Sequence, residues 1–164
     1  MRGLLVSMSL AALLAGCAVN PFNASALQPG ASRQDVIGRL GTPTRVVPIT
    51  GGERLQYSYQ PFGRETWIVD LDASGRVVRA GQALNTLNFN RIEPGRWSRD
   101  DVEREFGPPA RIEAVTSWGG PIMTYRWWDV DRSPMFYWVY LDPSGVVRRA
   151  HPGMEFVNSP NVRD

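Results

Sequence analysis

Trp67-Ile68-Val69-Asp70-Leu71-Asp72-Ala73-Ser74-Gly75-Arg76-Val77 and Tyr137-Trp138-Val139-Tyr140-Leu141-Asp142-Pro143-Ser144-Gly145-Val146-Val147 carry one pattern twice. In each, apolar residues recur at every second position and end on a leucine. An Asp-x-Ser-Gly run follows, and the chain resumes at a valine. Period two marks a strand with one apolar face, and the turn residues make that strand the first arm of a hairpin. Upstream, Leu55, Tyr57 and Tyr59 alternate with Gln56, Ser58 and Gln60, as Met123, Tyr125 and Trp127 do with Thr124, Arg126 and Trp128. Further upstream stand Ser32-x-x-Asp35 and Ser98-x-x-Asp101, N-caps with an acid in the first turn. Val36, Ile37 and Leu40, or Val102 and Phe106, supply one apolar helical face, and Gly41-x-Pro43 or Gly107-x-Pro109 ends the helix.

The matches keep their order while the offset grows from 65 at Pro29-Gly30/Pro94-Gly95 to 70 at the hairpins. The extra residues fall between elements, where insertions are tolerated. The expected fold is therefore α+β, two tandem repeats, each a short helical segment packed on a three- to four-stranded antiparallel sheet. The first spans residues 27–88 and the second 89–151, with Leu84 to Arg91 bridging them and residues 152–164 forming a C-terminal tail. The alternation predicts one apolar and one largely polar face for the first sheet.

Composition limits the chemistry. The 164 residues are 43% hydrophobic and 21% charged, which suits an ordinary folded domain. All 18 basic residues are arginine, set against 16 acids, so the net charge of +2 argues against a nucleic-acid partner. One cysteine and one histidine cannot supply a disulfide framework or the usual zinc ligands.

The N-terminus indicates the compartment. Met1-Arg2-Gly3 precedes an apolar run from Leu4 to Leu14 and then Ala15-Gly16-Cys17, the anatomy of a signal peptide over residues 1–16. That apolar run covers roughly half of a ~30 Å hydrocarbon core, too little for a permanent span. Leu14-Ala15-Gly16-Cys17 resembles the bacterial lipobox. The resemblance implies cleavage before Cys17, diacylglycerol on its sulfur and an acyl chain such as palmitate on its new amine. Residues 17–26 then form a lipidated tether. Ala18, where an aspartate would favour inner-membrane retention, implies the outer membrane of a Gram-negative bacterium, with the protein facing the periplasm. An ordinary secreted protein whose Cys17 is removed or free, or a buried structural cysteine, are the alternatives.

Leu27-Gln28-Pro29-Gly30-Ala31-Ser32-Arg33-Gln34-Asp35-Val36, closing on Leu40-Gly41-Thr42-Pro43, resembles the small outer-membrane lipoproteins called SmpA/OmlA, or BamE-like. Ile92-Glu93-Pro94-Gly95 through Phe106-Gly107-Pro108-Pro109 repeats the phrase more loosely, and Tyr57 and Asp72 to Gly75 match later features. The resemblance implies an accessory role in inserting β-barrel proteins into the outer membrane, a contribution to envelope integrity, and contact with assembly proteins and anionic lipid head groups. This chain departs from the family in carrying two such units. Its tandem architecture also resembles the secreted β-lactamase inhibitor proteins, which implies an inhibitor-like module binding a periplasmic enzyme.

The candidate partner-binding residues come from register. With Met123, Tyr125, Trp127, Tyr137, Val139 and Leu141 inward, the opposite face carries Arg126, Trp128, Phe136, Trp138 and Tyr140, residue types that dominate interface energetics. Packing of this stripe against the first copy, the tether or the tail is the alternative. Catalytic and metal residues are expected to be absent, with no cofactor beyond the lipid on Cys17. Asp70-x-Asp72-x-Ser74-Gly75 starts like a calcium loop but has Gly81 at its twelfth position. His151 stands without an evident acid or nucleophile, as a surface or interface residue.

Overall fold

The computed structural model describes residues 27–156. Cys17, the leader 1–16, the tether 17–26 and residues 157–164 lie outside the described residues. Along the chain come helix α1 (Arg33–Leu40) and strands β1 (Arg45–Ile49), β2 (Gly52–Ser58), β3 (Thr66–Asp72) and β4 (Val77–Gln82). Two helices follow, α2 (Thr86–Phe89) and α3 (Arg99–Phe106), and then β5 (Arg111–Ala114), β6 (Pro121–Trp128), β7 (Pro134–Leu141) and β8 (Val147–Met154). The strands make two four-stranded antiparallel sheets, ordered β1-β2-β3-β4 and β5-β6-β7-β8. The fold class is α+β. Every sheet neighbour is also a neighbour in sequence, as short hairpin connections dictate.

Local chemistry explains the helix ends. The Ser32 side chain accepts the N–H of Asp35 while the Asp35 carboxylate accepts the N–H of Ser32, and Ser98 with Asp101 does the same. Each box satisfies two donors that the first turn leaves without an intrahelical partner. Both helices stop on a glycine in the left-handed region, Gly41 at φ 80° and Gly107 at φ 77°. The Tyr57 hydroxyl donates to the Gly41 carbonyl at 3.2 Å, and that of Tyr125 to the Gly107 carbonyl at 2.9 Å. At eight residues each, α1 and α3 would be marginal alone. Val36 holds α1 against Leu55, Tyr57, Val69 and Leu71 of the first sheet. Val102 and Phe106 hold α3 against Met123, Tyr125 and Val139 of the second.

The hairpin aspartates act as acceptor hubs. Asp72 and Asp142 each accept a serine N–H at 2.9 Å, the same serine's hydroxyl at 2.6 Å and a further N–H at 3.0 Å. The hydroxyl bonds, from Ser74 and Ser144, are the main reason that both carboxyls are held below the usual carboxylate range. Bonds from Ser32 and Ser98 do the same for Asp35 and Asp101. A carboxylate depressed in the folded state stabilises the fold above its unfolded pKa, near ~3.9, and loses that contribution as pH falls through the folded value. Stability should therefore decline as the solution is acidified below about pH 4. Asp142→Asn and Asp101→Asn should each lower the urea midpoint at pH 7 and shrink its difference from the midpoint at pH 2. An unchanged acid limb in both variants would contradict this assignment.

The outer face of the first sheet departs from the expected polar, solvated surface. Gln56 and Thr66 are fully buried, and Ile68, Arg54 and Asp70 nearly so. The C-terminal end of α3 covers them. Gln56 Nε2 donates to the carbonyls of Glu103 and Arg104, at 2.9 Å each. Arg54 Nη1 donates to the Arg104 carbonyl at 3.0 Å and to Glu105 Oε1 at 2.8 Å. Arg54 also grips Asp70 through two bonds of 2.6 and 3.0 Å. The last carbonyls of a helix need donors, and polar residues that alternation marks as solvent-facing supply them. Ile68 meanwhile joins the cluster of Phe89, Phe106 and Val139. The layers run α1, first sheet, α3 with α2, second sheet.

Two boundaries also shift. Within the bridge Leu84 to Arg91, Leu84 and Phe89 are buried in the core of the second sheet, so that stretch is a packed element. Strand β8 continues to Met154, past residue 151, because its final residues pair with the start of β7, Met135 opposite Met154. Residues 152–154 are thus strand, where a tail is expected.

Candidate interaction surface

The alternation of β6 and β7 places Met123, Tyr125, Trp127, Tyr137, Val139 and Leu141 in the core, all buried. Arg126, Trp128, Phe136, Trp138 and Tyr140 lie on the opposite face, each partly exposed. The structure divides these five into two groups.

Arg126 and Trp128 meet the loop between β2 and β3. The Gln60 side chain bonds both backbone groups of Arg126, donating to its carbonyl at 2.7 Å and accepting its N–H at 3.2 Å. This extends the hydrogen-bond ladder of β6 beyond Thr124, where its pairing with β5 ends. The Arg126 guanidinium donates to the carbonyls of Pro61 and Phe62 at 3.1 and 2.9 Å and pairs with Glu155 at 2.6 Å. Arg64 pairs with the same carboxylate at 2.9 Å and lies 4.5 Å from the Trp128 ring, with Arg132 at 4.9 Å from that ring. For these two residues, packing against the first half is what the geometry displays. The reason is that a multivalent guanidinium finds backbone carbonyls and a carboxylate within the fold.

Phe136, Trp138 and Tyr140 form a second group, joined by residues beyond the five that strand alternation singles out. Trp138 sits 5.6 Å from Phe136 and 5.4 Å from His151, between ring centroids. Tyr140 stacks on His151 at 5.4 Å and meets Trp118 edge-on at 5.2 Å. Arg111 lies 5.3 Å from the Phe136 ring, and Arg149 lies 4.0 Å from the Tyr140 ring. The Trp138 ring crosses Gly153 so closely that a Cβ there would fall 2.3 Å from Cζ3, which leaves that place to glycine. Strict alternation from Val147 would turn Arg149 and His151 inward, so period two gave no signal for them. Val147 points inward, and the bulge beside Tyr140 and Leu141 sets Arg149 opposite Tyr140 and His151 opposite Trp138. Trp118 sits in the loop before β6, where no periodicity applies. It is held by its indole N–H, which donates to the Leu141 carbonyl at 2.7 Å.

Asp70 and Asp72, the first two ligand positions of the calcium-like run, are bound to Arg54 and to the hairpin backbone respectively. Among the described residues no group of three histidine, cysteine or acidic side chains is arranged to hold a metal ion.

No protein-family model and no curated protein matches the chain. Among solved structures, it is similar to a DUF4309 family protein from Bacillus subtilis, at 13% identity over 76% of this chain and 79% of that one, with a TM-score of 0.30. It is also similar to an extracellular protein containing an SCP domain from Bacillus anthracis, at 12% identity over 80% of this chain and 50% of that one, with a TM-score of 0.29. Likenesses this slight carry no argument about function.

Proposed function

We propose that the chain is a lipoprotein of the outer membrane, facing the periplasm, and that it acts without catalysis as a protein-interaction module in β-barrel assembly or envelope integrity. Its folded part is a tandem duplication of one SmpA/OmlA-like unit. The support for duplication is a set of paired devices. Each half has the same capping box, the same tyrosine-to-glycine bond at the helix end, the same Asp-Ser hairpin and the same strand order. Cys17, as the first mature residue, carries diacylglycerol and an N-acyl chain. At about 0.8 kcal/mol per buried CH₂, several chains make the attachment effectively permanent. Confinement near the bilayer raises the effective concentration towards membrane neighbours, so modest contacts suffice.

The observation that carries the binding role is the group of Phe136, Trp138 and Tyr140. These rings stay partly exposed on the outer face of the second sheet, and the ring contacts they make are with one another and with Trp118, His151, Arg111 and Arg149. Aromatic rings grouped on one face and left partly open to solvent are the residue type that dominates interface energetics. A photo-crosslinker at Trp138 in intact cells is expected to capture an outer-membrane assembly protein. Phe136→Ala with Tyr140→Ala, carrying the same crosslinker, should abolish the capture and reproduce the envelope phenotype of cells lacking the protein. Capture of a soluble hydrolase would instead favour the inhibitor-like role for the same rings. Absence of any crosslink, with the double variant behaving as wild type, would overturn the binding face.

A further inference from the structure

We infer that the groove beside Arg149 receives an acidic segment of a partner polypeptide, with Arg149 holding its carboxylate. The inference deepens the binding role proposed for the outer face of the second sheet and rests on it. The groove, of about 510 Å³, is lined by Glu113, Ser117, Trp118, Ile122, Trp138 and Arg149, among others. That volume falls within the range of ligand-holding clefts.

Charge and shape select the occupant. The acid that lines the groove, Glu113, is paired with Arg111 at 2.7 Å. Arg149 has no carboxylate partner among the described residues. Its guanidinium is instead held over rings, 4.0 Å from Tyr140 and 5.6 Å from Trp118. A guanidinium held over a ring makes a cation–π contact that does not use up its N–H donors, which can still receive a carboxylate through two parallel bonds. The ring stack also restricts the side chain before binding, which lowers the entropy lost on capture.

The groove wall is mixed, with Glu113 and Ser117 as polar groups and Ile122 and Trp118 supplying apolar surface. Ile122 is 4% exposed. The one polar atom of the Trp118 side chain is satisfied by the Leu141 carbonyl, which leaves its ring as apolar wall. An uncompensated cation beside apolar surface complements an Asp or Glu flanked by apolar side chains.

The test uses the mature full-length protein and two synthetic pentapeptides, acetyl-Gly-Leu-Glu-Leu-Gly-amide and its glutamine counterpart, titrated calorimetrically. The acidic peptide is expected to bind about tenfold more tightly, the effect of one charge-assisted bidentate contact. Arg149→Gln, an exposed position on an edge strand, should erase the difference between the peptides. Glu113→Gln should release Arg111 and tighten the acidic peptide. Equal affinity for the two peptides, binding of neither, or discrimination surviving in Arg149→Gln would each overturn the inference. Failure of both peptides while Trp138 still captures its partner would remove this inference and leave the binding face standing. Discrimination between peptides without any capture would remove the assembly role and leave the groove.

Discussion

Phe89→Ala is expected to destabilise the protein by about 3–5 kcal/mol, the range for losing a buried phenylalanine from a well-packed core. The side chain is 1% exposed. Its ring stacks on Tyr137 with centroids 3.9 Å apart and planes within 4°. It also meets Phe106 at 5.0 Å and Trp127 at 5.3 Å. One residue of a four-residue helix thus joins α3 to β6 and β7. Its removal would leave a cavity among three large rings, each of which packs on it. The same cluster contains Ile68 from the first sheet, so the loss should be felt by both halves. Urea denaturation followed by tryptophan fluorescence should show one transition with an earlier midpoint and an unchanged slope. A shift below about 1 kcal/mol would mean that the site relaxes around the missing ring.

Arg54→Met is expected to cost a comparable amount, about 3–5 kcal/mol, because it leaves buried charge without compensation. The side chains of Arg54 and Asp70 are 5% and 8% exposed, and Arg54 also serves Glu105 and the Arg104 carbonyl. Arginine supplies donors to three separate acceptors there, which methionine of similar length cannot. The double variant Arg54→Met with Asp70→Leu should recover most of the loss, since Glu105 keeps Arg91 at 3.3 Å and the remaining pair becomes apolar. Equilibrium unfolding of the two single variants and the double variant gives the coupling between Arg54 and Asp70. Recovery is the decisive reading: a double variant as unstable as the single one would show that the arginine acts mainly through the α3 carbonyl.

Much of the architecture was legible because its determinants are local. The capping boxes join residues three apart, and the hairpin carboxylates reach residues two and four away. Phe89 shows where that legibility ended. Leu84, Phe89 and Ile92 are all buried, yet their spacing matches neither a strand nor a helix face, so the stretch reads as a connection. Among the candidate surface residues, register placed all five on one face. It could not tell Arg126 and Trp128, which the β2–β3 loop occupies, from Phe136, Trp138 and Tyr140, which it leaves open.

From residue order alone follow the strand and helix periods, the turns, the caps, and the inward side of β6 and β7, because these depend on contacts a few positions apart and on which side chains leave water. Only the folded chain decided what lies over each sheet. The outer face of the β1–β4 sheet is rich in polar residues and is nonetheless buried, since Gln56 and Arg54 meet the end of a helix 47 to 51 residues further on. That of the β5–β8 sheet is rich in aromatic residues and is only partly covered. A side chain's own polarity states what it can bond, and the path of distant segments determines whether the partner is backbone, another side chain or solvent.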